Sequence, residues 1–169
     1  EEIQALIAYC REQKLSYYVL GNGSNVLFTD DGYDGMIIQI GSAMSTIQVA
    51  GNSMYVQAGA ILAKTAKLAY EEGLTGMEFA AGIPGSVGGA VVMNAGAYGG
   101  EMKDILSGVR VLTQRGEIRV RPADELDLSY RHSRMMDEQD IVLEARLNLT
   151  QDSTAVIRAR MEELRKKRV

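Results

Sequence analysis

The sequence predicts an α+β fold built from short strands with helices set between them. Three observations carry this. Apolar residues recur at helical spacing in a few long stretches and at strand spacing in many short ones. Turn dipeptides such as Gly51-Asn52 and Arg115-Gly116 separate neighbouring strands. The regular strand–helix alternation of a doubly wound parallel sheet is missing.

Residues 1–14 read as an amphipathic helix, because Ile3, Leu6, Ile7 and Cys10 fall on one face. Tyr17 to Leu20 make a short apolar strand that runs into Gly21-Asn22-Gly23-Ser24-Asn25. Val26 to Phe28 resume the strand, Asp30-Asp31-Gly32 turn it, and Met36 to Ile40 form the next. Thr46–Val49 and Tyr55–Ala58 pair as a hairpin through Gly51-Asn52. Ile61 to Glu72 is a helix stopped by Gly73, a residue suited to the position just past a helix end. Gly108–Thr113 and Ile118–Arg121 form a second hairpin, and Pro122 to Leu126 a single helical turn. Asp140 to Leu149 is a long strand that alternates in its second half, with Leu143, Ala145, Leu147 and Leu149 on one side. Ser153 or Thr154 caps a last helix whose Val156, Ile157, Met161 and Leu164 face inward, and whose basic end is a solvated helix terminus.

Length and composition narrow the function. The 169 residues make one domain, or one domain and part of another, and 46% apolar residues suffice for a core. Eighteen basic against 22 acidic side chains leave a net charge of −4, which argues against a nucleic-acid binder. No apolar run approaches the roughly 18 to 20 residues that span a bilayer, and no leader opens the chain. Neither a membrane nor an obligate protein partner is expected. One cysteine excludes an internal disulfide; Cys10 reads as a small core residue in a reducing compartment. The chain opens without methionine inside one helical pattern and ends inside another, so it reads as a piece of a longer protein.

The most informative stretch runs from Glu78 to Met102, with seven of the eighteen glycines and almost no charge. Glycine permits positive φ and close approach to the backbone. Such a run can wrap a large, flat, partly apolar ligand, or it can form buried tight turns; composition does not separate the two. Gly21-Asn22-Gly23-Ser24-Asn25 fails as a dinucleotide fingerprint, because Val26 occupies the third glycine position and a turn follows. Its successive N–H groups would still form a nest for an anion such as pyrophosphate. A P-loop is absent, one His and one Cys build no zinc set, and no nucleophile elbow accompanies His132. In Ser129-Tyr130-Arg131-His132-Ser133-Arg134, an arginine beside a tyrosine suits a carboxylate or oxyanion, although a surface salt bridge is the commoner use.

Three segments, taken in order, carry a resemblance: 20–27 (Leu-Gly-Asn-Gly-Ser-Asn-Val-Leu), 82–89 (Gly-Ile-Pro-Gly-Ser-Val-Gly-Gly) with 94–99 (Asn-Ala-Gly-Ala-Tyr-Gly), and Ser129-Tyr130-Arg131. Together, over nearly the whole chain, they closely resemble the bacterial UDP-N-acetylenolpyruvoylglucosamine reductases, flavoenzymes of the vanillyl-alcohol oxidase superfamily. The resemblance implies an FAD-binding fold of short-strand sheets with flanking helices. Residues 1–45 would be the later part of a first FAD-binding subdomain and 46–169 a second, with the start of the first and a C-terminal substrate domain lying outside the chain.

It also implies roles. Gly21, Asn22, Gly23, Ser24 and Asn25 would bind the FAD pyrophosphate. Gly82, Ile83, Pro84, Gly85, Ser86, Gly88, Gly89, Asn94 and Gly96 would follow the phosphates and the isoalloxazine ring. FAD would be noncovalent, NADPH the co-substrate, and a UDP-sugar enolpyruvate the substrate, in the bacterial cytoplasm, for peptidoglycan synthesis. Arg131 would stabilise charge developing on the substrate, and Tyr130 would help to place it. A serine or cysteine proton donor and a glutamate would come after Val169. The alternatives are another FAD-dependent oxidase or dehydrogenase of the superfamily, or a non-catalytic nucleotide-binding domain.

Overall fold

The computed structural model describes residues 1–168. In chain order the elements are α1 (Glu2–Glu12), β1 (Tyr17–Leu20), β2 (Met36–Gln39), β3 (Ile47–Ala50), β4 (Ser53–Gln57), α2 (Leu62–Glu71), β5 (Leu74–Thr75), α3 (Val87–Val92), β6 (Gly96–Ala97) and β7 (Gly100–Glu101). They continue with β8 (Leu106–Leu112), β9 (Ile118–Pro122), α4 (Arg134–Glu138), β10 (Ile141–Asn148), β11 (Thr150–Gln151) and α5 (Thr154–Arg168). The principal sheet is antiparallel, in the order β3-β4-β10-β8-β9. A separate parallel pair, β1-β2, stands in the first part of the chain.

β10 is the middle strand, and its register shows why its sequence reads as it does. Ala145 lies opposite Val56 of β4 and Val109 of β8, and all three are buried. Leu147 lies opposite Met54, and both are fully buried. On the other face Arg146 lies over the Tyr55 ring at 5.4 Å, and Glu144 pairs with Arg110 at 3.6 Å. The register shifts between Val142 and Glu144, so Ile141, Val142 and Leu143 are all buried and strict alternation begins only after them. Replacing Leu147 by alanine is expected to cost about 2–5 kcal/mol through transfer and cavity effects. Val156→Ala on the surface should stay within about 0.5 kcal/mol. Urea unfolding of the two variants checks the contrast.

Helices cover the apolar face: α3 packs on β10 and β4, and α2 against α3 and the Glu78–Gly82 turn. Gly73 follows α2 at φ +69°, its N–H donating to the Tyr70 carbonyl at 3.0 Å. Both predicted hairpins form, with Gly51 at φ +59° and Gly116 at φ +83°. Cys10 is buried, its thiol 3.6 Å from the Met36 sulfur. The Tyr17 hydroxyl donates to Gln114 at 3.1 Å, tying the parallel pair to the β8–β9 hairpin. Among the described residues no helix is long and apolar enough to cross a membrane.

Three local expectations need correction. Val26–Phe28 form no strand: β1 pairs with β2, which leaves this stretch without a ladder partner. Leu27 is 94% exposed, and Phe28 packs edge-on against Tyr18 and Tyr33 instead. Val156 is 55% exposed, because the inward stripe of α5 follows the buried Ile157 and the half-buried Met161 and Leu164 at helical spacing and Val156 lies one step, about 100°, off it. The basic end of α5 is not wholly solvated, since the Arg168 guanidinium lies over the Tyr98 ring at 5.6 Å and against Gly82. Val169 lies outside the described residues.

Candidate functional site

The 82–96 segment is not one loop. After the Glu78–Gly82 turn, Ser86 caps α3 by accepting from the Gly89 N–H at 3.4 Å. The glycines at 88 and 89 disguise this helix in the sequence. Gly88 is required by packing, since a Cβ there would stand 2.7 Å from the Ala58 Cβ. The N–H groups of Val87 and Gly88 donate to the Ala60 and Ala58 carbonyls, both at 2.8 Å. Those two donors are therefore spent on the fold.

The two glycine-rich segments meet. The Ser24 hydroxyl donates to the Pro84 carbonyl at 3.1 Å, and a Cβ on Gly85 would come within 3.0 Å of the Ser24 oxygen. A Cβ on Gly21 would be 2.5 Å from the Ser86 oxygen. In the first loop the N–H groups of Asn22, Gly23, Ser24 and Asn25 have no main-chain partner among the described residues. Gly23 is left-handed at φ +70°, and a Cβ on it would meet nothing within 4 Å. This is a run of free donors beside open space, the arrangement expected of an anion nest.

A cleft of about 400 Å³ lies beside these loops. Gly21, Asn22 and Ser86 line it, together with residues that sequence reasoning missed: Gln39 at the end of β2, Gly41, Ser42 and Ser45 after it, Gly59 after β4, and Lys64 on α2. Gly59 is pressed onto Gly41, so that a Cβ on it would overlap the Gly41 carbonyl and stand 2.8 Å from the Met44 oxygen. The available signal was the small-residue run Ala58-Gly59-Ala60 at a strand end. Lys64 sits in the first turn of α2, where a cation is unfavourable to the helix dipole, and among the described residues no carboxylate lines the cleft. Free N–H donors, one lysine and glycine-floored space suit a phosphate-bearing ligand of dinucleotide type, and on that chemistry the residues fit FAD.

Asn94, Gly96, Tyr130 and Arg131 form a second group outside the cleft lining. The buried Asn94 amide donates to Glu101 at 2.8 Å and to the Ser129 carbonyl at 2.9 Å, and it accepts from the Lys103 N–H at 2.9 Å. Its side chain is occupied by the protein and serves to dock the 129–132 turn. Arg131 Nη2 donates to the Gly96 carbonyl at 3.4 Å, with its guanidinium 5.6 Å from the Tyr130 ring centre. Tyr130 is 87% exposed. Elsewhere the buried Arg121 pairs with the buried Asp140 and with the exposed Glu138. Burial opposes the arginine's charge, but the two carboxylates outweigh it and raise its pKa.

Comparison with known proteins agrees with this geometry. A family model described as "FAD binding domain" matches residues 1–121. UDP-N-acetylenolpyruvoylglucosamine reductase of Latilactobacillus sakei is 47% identical over 163 residues, covering 96% of this chain and 54% of the relative. The enzyme of the same name from Enterococcus faecalis is 48% identical over 164 residues, 97% of this chain and 54% of the relative. The crystal structure of UDP-N-acetylenolpyruvylglucosamine reductase from Thermus caldophilus superposes with a TM-score of 0.84 at 38% identity, over 95% of this chain and 58% of that one. The chain thus spans about half the length of the curated relatives it matches. It belongs to the FAD binding domain family, and over nearly its whole length it is similar to the UDP-N-acetylenolpyruvoylglucosamine reductases.

Proposed function

We propose that this chain is the FAD-binding part of a bacterial cytoplasmic enzyme that uses NADPH to reduce UDP-N-acetylglucosamine enolpyruvate to UDP-N-acetylmuramate for peptidoglycan. The observation that carries the reading is the junction of the two glycine-rich segments at Ser24 and Pro84. Residues 1–45, with the parallel pair, form the first subdomain, and 46–169 the second; the separate sheets support that division.

Bound FAD supplies the hydride relay between NADPH and the enolpyruvyl double bond. The free N–H groups of Asn22–Asn25 hold its pyrophosphate, and the glycines at 23, 85 and 89 keep side chains out of its path. Gly89 supports this, because a Cβ on it would meet nothing of the protein closer than the Ser86 oxygen at 3.5 Å. Arg131 offers its planar fork to the substrate carboxylate and to the charge that grows there as the hydride arrives. Tyr130 flanks that guanidinium and orients it.

The test uses the full-length protein. It should purify yellow, bleach with NADPH without air, and regain its colour when UDP-N-acetylglucosamine enolpyruvate is added. Bleaching of the flavin by a simple sugar or alcohol and its reoxidation by oxygen, with none by the enolpyruvate, would replace this function with that of an oxidase or dehydrogenase. A colourless protein that takes up no flavin would end it.

A further inference from the structure

The turn Ser129–His132 is closed by two main-chain hydrogen bonds of 3.2 Å, running in opposite directions between its end residues. Arg131 sits inside it at φ +54°. A side chain held in that region costs about 1–2 kcal/mol, so the surroundings must impose the shape. Asn94 holds the Ser129 end. At the other end the His132 Nε2 lies 3.0 Å from Asp137 Oδ1 on α4, and the ring also faces the main-chain carbonyl and carboxylate of Asp127. We propose that His132 is a positioning residue: gripped by Asp137 and Asp127, it locks the turn that presents Tyr130 and Arg131 to the substrate. The inference rests on reading Arg131 as the group that meets the substrate carboxylate.

The grip depends on a proton. An imidazolium donates to Asp137 and is attracted by charge to both carboxylates, whereas a neutral ring keeps at most one uncharged hydrogen bond to Asp137 and loses its hold on Asp127. The charged groups near the ring are Asp137 from α4 and Asp127 from the preceding loop. Arg134 on α4 is turned to Glu138 at 3.9 Å, and Arg131 to Gly96. The hydrogen bond to Asp137 raises the His132 pKa above its ordinary 6.5, against a smaller lowering by desolvation. A raised folded value means that the lock is fully present below about pH 6.5 and is lost as pH rises through the folded pKa.

The test uses 15N-labelled, FAD-loaded full-length enzyme, following the Tyr130 and Arg131 amides and the His132 ring from about pH 5.5 to 9. Both amides should shift with the His132 midpoint, and Asp137→Asn should lower that midpoint. In His132→Gln, which keeps a donor for Asp137 at every pH, the amides should be flat with pH. Binding of UDP-N-acetylmuramate, read from the flavin absorbance, should weaken about threefold or more across the same range in the parent and stay level in His132→Gln. Amides that ignore the His132 titration, or an Asp137→Asn midpoint equal to the parent's, would overturn the lock. Amides that track it in an enzyme binding no such carboxylate at any pH would uphold the lock and overturn the substrate reading of Arg131.

Discussion

Gly59→Ala is expected to destabilise the full-length protein by about 3 kcal/mol or more and to abolish FAD retention, the largest loss from adding a single methyl group. The new Cβ would overlap the Gly41 carbonyl and stand 2.8 Å from the Met44 oxygen, and neither neighbour is a flexible side chain that could swing away. The Gly59 N–H already donates to the Met44 carbonyl at 2.8 Å, so the two segments cannot separate without losing that bond. Both segments line the cleft, and any adjustment would reshape it. Gly89→Ala makes the control, since its Cβ would meet only the Ser86 oxygen, at an ordinary 3.5 Å. That variant should unfold close to the parent and yet lose flavin affinity if the cofactor occupies the adjoining space. Thermal unfolding with and without FAD, and a flavin titration, measure both. A Gly59→Ala protein that melts with the parent and stays yellow would remove the close backbone contact from the account.

How much of this was legible depends on whether the sequence carries local chemistry. The hairpins at Gly51-Asn52 and Arg115-Gly116, and the helix end at Gly73, were legible because a left-handed turn residue announces itself. The burial side of β10 followed from alternation after Leu143. Pairing partners are another matter: nothing local tells Tyr17–Leu20 to pair with Met36–Gln39 in parallel, so Val26–Phe28 read as a strand although it joins no ladder. α3 was hidden because glycines weaken helix propensity while tertiary packing on Ala58 demands one of them. In the site, the glycine-, serine- and asparagine-rich loops stood out, and the structure sets the first against Pro84, Gly85 and Ser86. Gly41, Gly59 and Lys64 did not, since each is isolated in sequence and acquires its place only through the fold. Asn94 shows the converse: it stands in a conspicuous motif, but its amide serves the protein's own hydrogen bonds.

In the full-length enzyme, Arg131→Lys is expected to slow flavin reoxidation by the enolpyruvate about 10²–10³-fold, the usual loss when a preorganised donor to a developing oxyanion is removed. Reduction by NADPH should change little. The asymmetry follows from position: Arg131 is tied to Gly96 and flanked by Tyr130, outside the cleft proposed to take the dinucleotide. Lysine keeps the charge but loses the planar fork, so a carboxylate held by two parallel N–H donors would keep only one. Stability offers a second reading on the same residue. Arg131 sits at φ +54°, where glycine is unstrained, and the turn is anchored without it by Asn94 on Ser129 and by the buried Ser133 hydroxyl donating to the Val92 carbonyl at 2.7 Å. Arg131→Gly should therefore unfold no earlier than the parent while losing the substrate half-reaction. Stopped-flow spectra of the two half-reactions, set beside melting curves, would show both effects. Equal slowing of both half-reactions, or an Arg131→Gly protein that melts well below the parent, would mean that the arginine supports the fold and not the substrate.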